Sequence, residues 1–120
     1  MKNLLLLTFI LFLFSFCNSE DKPKDLISED KMVEVLVDIH MTEGTVSAMP
    51  IAYDSSQRLY KLLEKDLFLK HDIIDSVFQE NMIFYLSDPS VMDRIYSRVI
   101  DSLTVKESKF RTTEGKEELL

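Results

Sequence analysis

The sequence predicts an all-α fold, a small bundle of about four amphipathic helices, on three observations. Only two glycines and three prolines occur in 120 residues, whereas a sandwich or barrel needs turn chemistry every ~8–12 residues. Apolar residues recur at intervals of three and four from Met32 to Leu103, the spacing of one face of a helix. Capping signals divide this pattern into four segments with short connections, which favour antiparallel neighbours.

Ser28 is the expected cap of the first helix, with Glu29 and Asp30 in its first turn at the positive end of the helix dipole. Met32, Val35, Leu36, Ile39 and Val46 form its stripe, and Val33, Val37 and Met41 widen it, so more than one neighbour is expected. Pro50 disfavours helix at Met49 and sets the end, with Gly44 offering an earlier one. Asp54 or Ser55 is expected to cap a second helix carrying Leu59, Tyr60, Leu63 and Leu67 on one side and Lys61, Glu64 and Lys65 on the other. Asp72 is expected to cap a third, with Ile74, Val77, Phe78, Met82 and Tyr85 inward. Asp88 followed by Pro89 opens the fourth, whose stripe is Met92, Ile95, Tyr96, Val99 and Leu103, with Phe110 as its last contact. The helical domain thus covers residues 26–110, and residues 111–120 form a polar tail expected to be disordered.

Ahead of this domain stands a different kind of segment. Lys2 precedes an uncharged apolar run from Leu4 to Phe16 that ends at Cys17, the single cysteine. At 1.5 Å per residue the run spans about 20 Å, short of the ~30 Å hydrocarbon core, and it matches a secretory signal over residues 1–16. An exported chain with one thiol has no internal disulfide to form. Phe14-Ser15-Phe16-Cys17 resembles a lipobox, which implies diacylglycerol on the Cys17 sulfur and an acyl chain on the new amino group; Phe16 departs from the Gly, Ala or Ser usual at that position. Residues 17–25 read as a polar tether, in which Ser19, Glu20 and Asp21 resemble a short acidic export signal.

Removing the signal takes one of the 14 basic residues and none of the 21 acidic, leaving a formal net charge of −8. Such a surface repels phosphate backbones, and no Lys/Arg cluster offsets it, so nucleic acid is excluded as a partner. No nucleophile elbow or glycine-rich phosphate loop occurs.

Asp38, His40 and Glu43 form the one polar cluster that invites a chemical hypothesis. His40 and Glu43 share a helix face, whereas Asp38 points elsewhere. One imidazole and one carboxylate fall short of the three or four ligands zinc takes, so no metal or catalytic residue is assigned; a metal-dependent site centred on His40, with His71 joining, is the minor alternative. Hydrogen bonding of such a histidine at a helix junction is the stronger reading. Glu34 and Asp38, four apart, read as a solvated face. Met82, Phe84 and Tyr85 belong to a methionine and aromatic set that either fills the core or lines an adaptable apolar groove.

Pro23, Leu26-Ile27-Ser28, Lys31-Met32, Leu36, Asp38-Ile39-His40 and Glu43, followed by Phe78, Tyr85, Pro89, Met92, Ile95-Tyr96 and Val99, resemble the domain-of-unknown-function family 4296. Where that resemblance leads one to expect a glycine before the third helix, this chain has His71. The resemblance implies a small lipoprotein of the Bacteroidota with a lipid anchor and a helical fold, and it implies no reaction. The resulting expectation is a non-enzymatic protein-interaction module without a cofactor beyond its acyl groups. It would be exported and held on an envelope membrane, the outer membrane on its periplasmic or cell-surface face, with the bilayer and an envelope protein as partners. The alternative is a chaperone-like carrier of apolar peptides or ligands.

Overall fold

The computed structural model describes residues 22–117, with side chains through residue 112; the signal, Cys17 and the first part of the tether lie outside the described residues. Four helices follow one another: α1 Glu29–Ala48, α2 Tyr53–His71, α3 Asp75–Leu86 and α4 Pro89–Glu117. Among the described residues no strand occurs, and no helix is long and apolar enough to cross a membrane.

The first and last caps follow the sequence. Ser28 Oγ accepts the Lys31 backbone N–H at 3.2 Å, and α1 stops at Ala48, two residues before Pro50. Asp88 Oδ1 accepts the backbone N–H groups of Ser90 and Val91 and the Ser90 hydroxyl, satisfying donors that the helix start leaves open. The two middle caps differ from expectation. α2 begins two or three residues earlier than Asp54 or Ser55 would place it, with Ala52 as cap residue.

Asp72 ends α2 instead of starting α3, whose cap residue is Ile74, itself exposed rather than inward. Its φ of 55° lies in the left-handed region, which aspartate tolerates better than most residues. The Asp72 N–H reaches Leu69 O at 3.1 Å and the Ile73 N–H reaches Phe68 O at 3.0 Å, the pair of bonds of a Schellman turn. Ile73 packs on the cluster containing Phe68, and the rings of Phe68 and Phe78 lie 5.1 Å apart across the break.

This break determines the architecture. α1 carries α2 on one flank and α4 on another, and α3 packs on α4. Asp38 meets Lys70 and His71, while Ile27 meets Tyr85 and Asn81, so α2 and α3 run end to end, both antiparallel to α1. Glu29 pairs with Arg94 and Asp30 with Arg98 at the start of α4, so α1 and α4 run side by side in the same direction. The short connections therefore yield one antiparallel leg in two pieces, not four alternating helices.

The core lies where α1, α3 and α4 converge: Met32, Leu36, Val37, Met92, Ile95 and Val99 are buried there, and Val35 and Ile39 meet Leu67 and Phe68 in a second cluster. α1 buries residues around much of its girth, as its widened stripe predicts. α4 passes Phe110 and continues to Glu117, so the first part of the tail expected to be disordered is helical. The Arg111–Glu107 ion pair at 2.6 Å supports that continuation.

The chain leading into α1 is held by α3. Asn81 is fully buried: its Oδ1 accepts the Ile27 N–H at 2.8 Å and its Nδ2 donates to Asp25 O and Val77 O. Tyr85 donates its hydroxyl to Ile27 O at 2.6 Å, and burial, followed by the nearby Glu29 charge, raises its pKa and keeps that proton in place. Asn81→Ala strips three hydrogen bonds and strands the buried Ile27 N–H, so a loss of about 2–4 kcal/mol is expected in urea unfolding, against about 1–2 for Tyr85→Phe. Equal stability of Asn81→Ala and the parent would show that α3 does not hold this segment.

Candidate functional site

The predicted polar cluster divides in two. His40 Nδ1 lies 3.1 Å from Glu43 Oε2 on the exposed side of α1, and its ring stands 6.0 Å from that of Tyr96 on α4. Asp38 points the other way, toward α2, where its Oδ2 accepts from Lys70 Nζ at 2.7 Å and from His71 Nε2 at 2.9 Å. An ionised carboxylate only accepts, so Nε2 carries the His71 proton in this contact. His71, with 7% of its side chain exposed, thus joins Asp38 and not His40. Among the described residues no three His, Cys, Asp or Glu side chains gather closely enough to hold a metal ion. Glu34, whose carboxylate lies 3.5 Å from Lys31, stays apart from Asp38.

Asp38, Lys70 and His71 pin the C-terminal end of α2 to the middle of α1. Burial by itself would raise the Asp38 pKa; the bonds from Lys70 and His71 outweigh it and hold the carboxyl below its ordinary 3.8. Further along the same helix pair Tyr60 donates to Glu64 at 3.3 Å. Burial, then the charges of Glu64 and Glu43, pushes Tyr60 up to about 12. The Tyr60 hydroxyl therefore stays protonated.

Met82, Phe84 and Tyr85 do not form an open groove. Tyr85 is buried with its hydroxyl engaged, and Met82 and Phe84 pack against the core cluster. The open apolar surface lies elsewhere. Beyond Asp38, α2 and α4 both lean on α1 without packing on each other, and between them runs a trough. The part between α2 and α4, about 500 Å³, is lined by Met41, Thr45, Leu63, Asp66, Leu67 and Lys106, and an adjoining hollow of about 520 Å³ between α1 and α4 alone is lined by Met41, Gly44, Leu103, Lys106 and Phe110. The hydroxyls of Thr42, Thr45 and Thr104 along it donate to the carbonyls four residues back, at 2.8–2.9 Å. Hence these threonines add no unmet polarity, and the charge on the walls comes from side chains such as Asp66 and Lys106. Gly44 lies at its floor, where a Cβ would meet nothing within 4 Å.

Sequence reasoning did not single out this trough. Its one sequence signal is Lys106, a cation on the apolar stripe of α4, three residues after Leu103 and four before Phe110. Asn81 gives the same signal on α3, midway between Val77 and Tyr85.

A carboxyl whose pKa is lower in the folded than in the unfolded chain stabilises fully above its unfolded value and loses that contribution as pH falls through the folded one. Stability is therefore expected to drop between about pH 5 and pH 2. Asp38→Asn should lower stability at neutral pH by about 1–2 kcal/mol and shallow the acid slope. It should not flatten it, since Arg94 holds the Glu29 carboxyl low and the Ser90 and Val91 bonds do the same for Asp88. Urea midpoints measured across that range check this, and an unaltered slope in the variant would remove the pin from the account.

No curated protein and no solved structure matches the chain. A family model does, over residues 23–109, which runs from the tether through all but the end of α4. The chain belongs to the family described as a domain of unknown function, DUF4296.

Proposed function

We propose that this chain is a bacterial envelope lipoprotein, tied to a membrane through acylated Cys17, whose helical body docks a protein in the trough beside α1 and catalyses no reaction. The observation that carries the docking role is the trough itself, a largely apolar surface along α1 that lies open between α2 and α4 and continues between α1 and α4 alone. Its form suits a helix laid along it, because an open groove buries one face of a helix and encloses no small ligand. The titratable groups at its closed end, Asp38 and Lys70, are engaged with each other, which suits a positioning role better than proton transfer.

Support for the anchor comes from residues 1–17: a short apolar run, a positive start and one cysteine at the polar boundary. Several acyl chains, at about 0.8 kcal/mol per buried methylene, hold a protein on a bilayer where one chain does not. The proposal places the domain on the periplasmic or cell-surface face of the outer membrane, close to the bilayer because the tether is short.

The mature N-terminal peptide is expected to carry the mass of an acylated cysteine, and Cys17→Ser is expected to move the protein from the membrane to the soluble fraction. For the docking role, crosslinking in intact membranes should recover a stoichiometric adduct from the parent and little from Gly44→Leu. That substitution fills the trough floor while favouring the helix by up to about 1 kcal/mol. An unmodified Cys17 would overturn the anchor, and adducts indifferent to Gly44→Leu would overturn the docking role.

A further inference from the structure

The tether leaves the body at one end of the bundle, the end where α1 and α4 begin and α3 finishes. Asn81 and Tyr85 hold residues 25–27 against the second half of α3 there, so the chain is fixed to the body almost from where the tether stops. From Cys17 to Lys22 is five chain steps, a reach of about 17 Å even when fully extended. A lipid on Cys17 therefore keeps this end of the bundle, and not the far one, next to the bilayer.

Three large apolar side chains lie uncovered at the same end: Leu26 ahead of α1, 38% exposed, and Ile83 and Leu86 in the last turn of α3, 54% and 57% exposed. Their neighbours Met82, Phe84 and Tyr85 pack inward, whereas Ile83 and Leu86, three apart, share the outer side of that turn.

We propose that this end of the body rests on the phospholipid surface, with Leu26, Ile83 and Leu86 in the layer between headgroups and acyl chains and Lys22 and Lys24 at the phosphates. The proposal rests on acylation of Cys17 and names the face that the anchor draws onto the membrane. Among the described residues neither Lys22 nor Lys24 has an ion partner, and a lysine stem lies along apolar surface while its ammonium stays among polar groups. Glu29 and Asp30 at this end are already matched by Arg94 and Arg98, which spares the contact their repulsion. Three side chains alone hold a bilayer weakly, but a short tether supplies an effective concentration on the order of millimolar, so a weak contact is populated once the anchor is in place. α1 then leads away from the bilayer, and Met41 in the trough stands about 18 Å further along it than Glu29, open to a partner.

The chain contains no tryptophan, so one introduced ring reports its own depth. The test uses the full acylated chain in phosphatidylcholine vesicles with brominated acyl chains, which quench a ring that enters the bilayer. Emission from Leu86→Trp should fall by roughly half or more relative to unbrominated vesicles, and emission from Tyr53→Trp, at the far end of the bundle, should not change. Adding Leu26→Asp and Ile83→Asp, both at exposed positions, should return Leu86→Trp to the unquenched level with undiminished helical circular dichroism. An unquenched Leu86→Trp, equal quenching of Tyr53→Trp, or quenching indifferent to the two aspartates overturns the proposal. If the chain is acylated and sediments with the vesicles while Leu86→Trp stays unquenched, the contact falls and the anchor stands; a chain that neither carries acyl groups nor sediments with them overturns both.

Discussion

The left-handed residue at Asp72 is the constraint on which the rest of the arrangement depends. It ends α2 with a Schellman turn and lets the chain resume three residues later as α3, displaced toward α4. Were the two a single straight helix, one antiparallel leg would cover α1 along its whole length. Because they are two, α3 closes the bundle against α4 while α2 stands off from it. The trough is the space that this displacement leaves.

Buried polar groups then hold the pieces in register. Apolar contacts are non-directional and would tolerate small slides of one helix on another, but Asn81 accepts from one backbone group and donates to two more, and satisfies them in one geometry only. The Asp38 carboxylate does the same between α1 and α2. Among the described residues no buried side-chain nitrogen or oxygen lacks a partner, so this polarity is compatible with the packing around it. The segment next to the tether is thereby part of the folded body and not a loose extension of it.

The acidic balance of the chain is used locally. Glu29 and Asp30 sit in the first turn of α1, where the helix dipole favours them, and each also meets an arginine of α4, Arg94 through two bonds and Arg98 through one. These contacts orient α4 parallel to α1. Exposed pairs of this kind contribute little to stability; their effect here is on direction.

Helix content, the Ser28 and Asp88 caps, the end of α1 before Pro50 and most of the inward stripe were legible in the sequence, because caps and three-to-four spacing are local properties of a chain. The family was legible too, through residues spread from Pro23 to Val99. Asp72 was misread because the same residue type serves as an N-cap or as a left-handed terminator, and the choice depends on whether Ile73 finds Phe68. Asp38 and His40, neighbours in sequence, proved to serve different helices. Phe110 continued a stripe whose far side no local rule could show to be empty. What the sequence determined by itself was where helices form and which faces are apolar; tertiary structure alone decided which faces meet and which remain open, because that depends on how far the broken leg moves aside, a property of all four helices together.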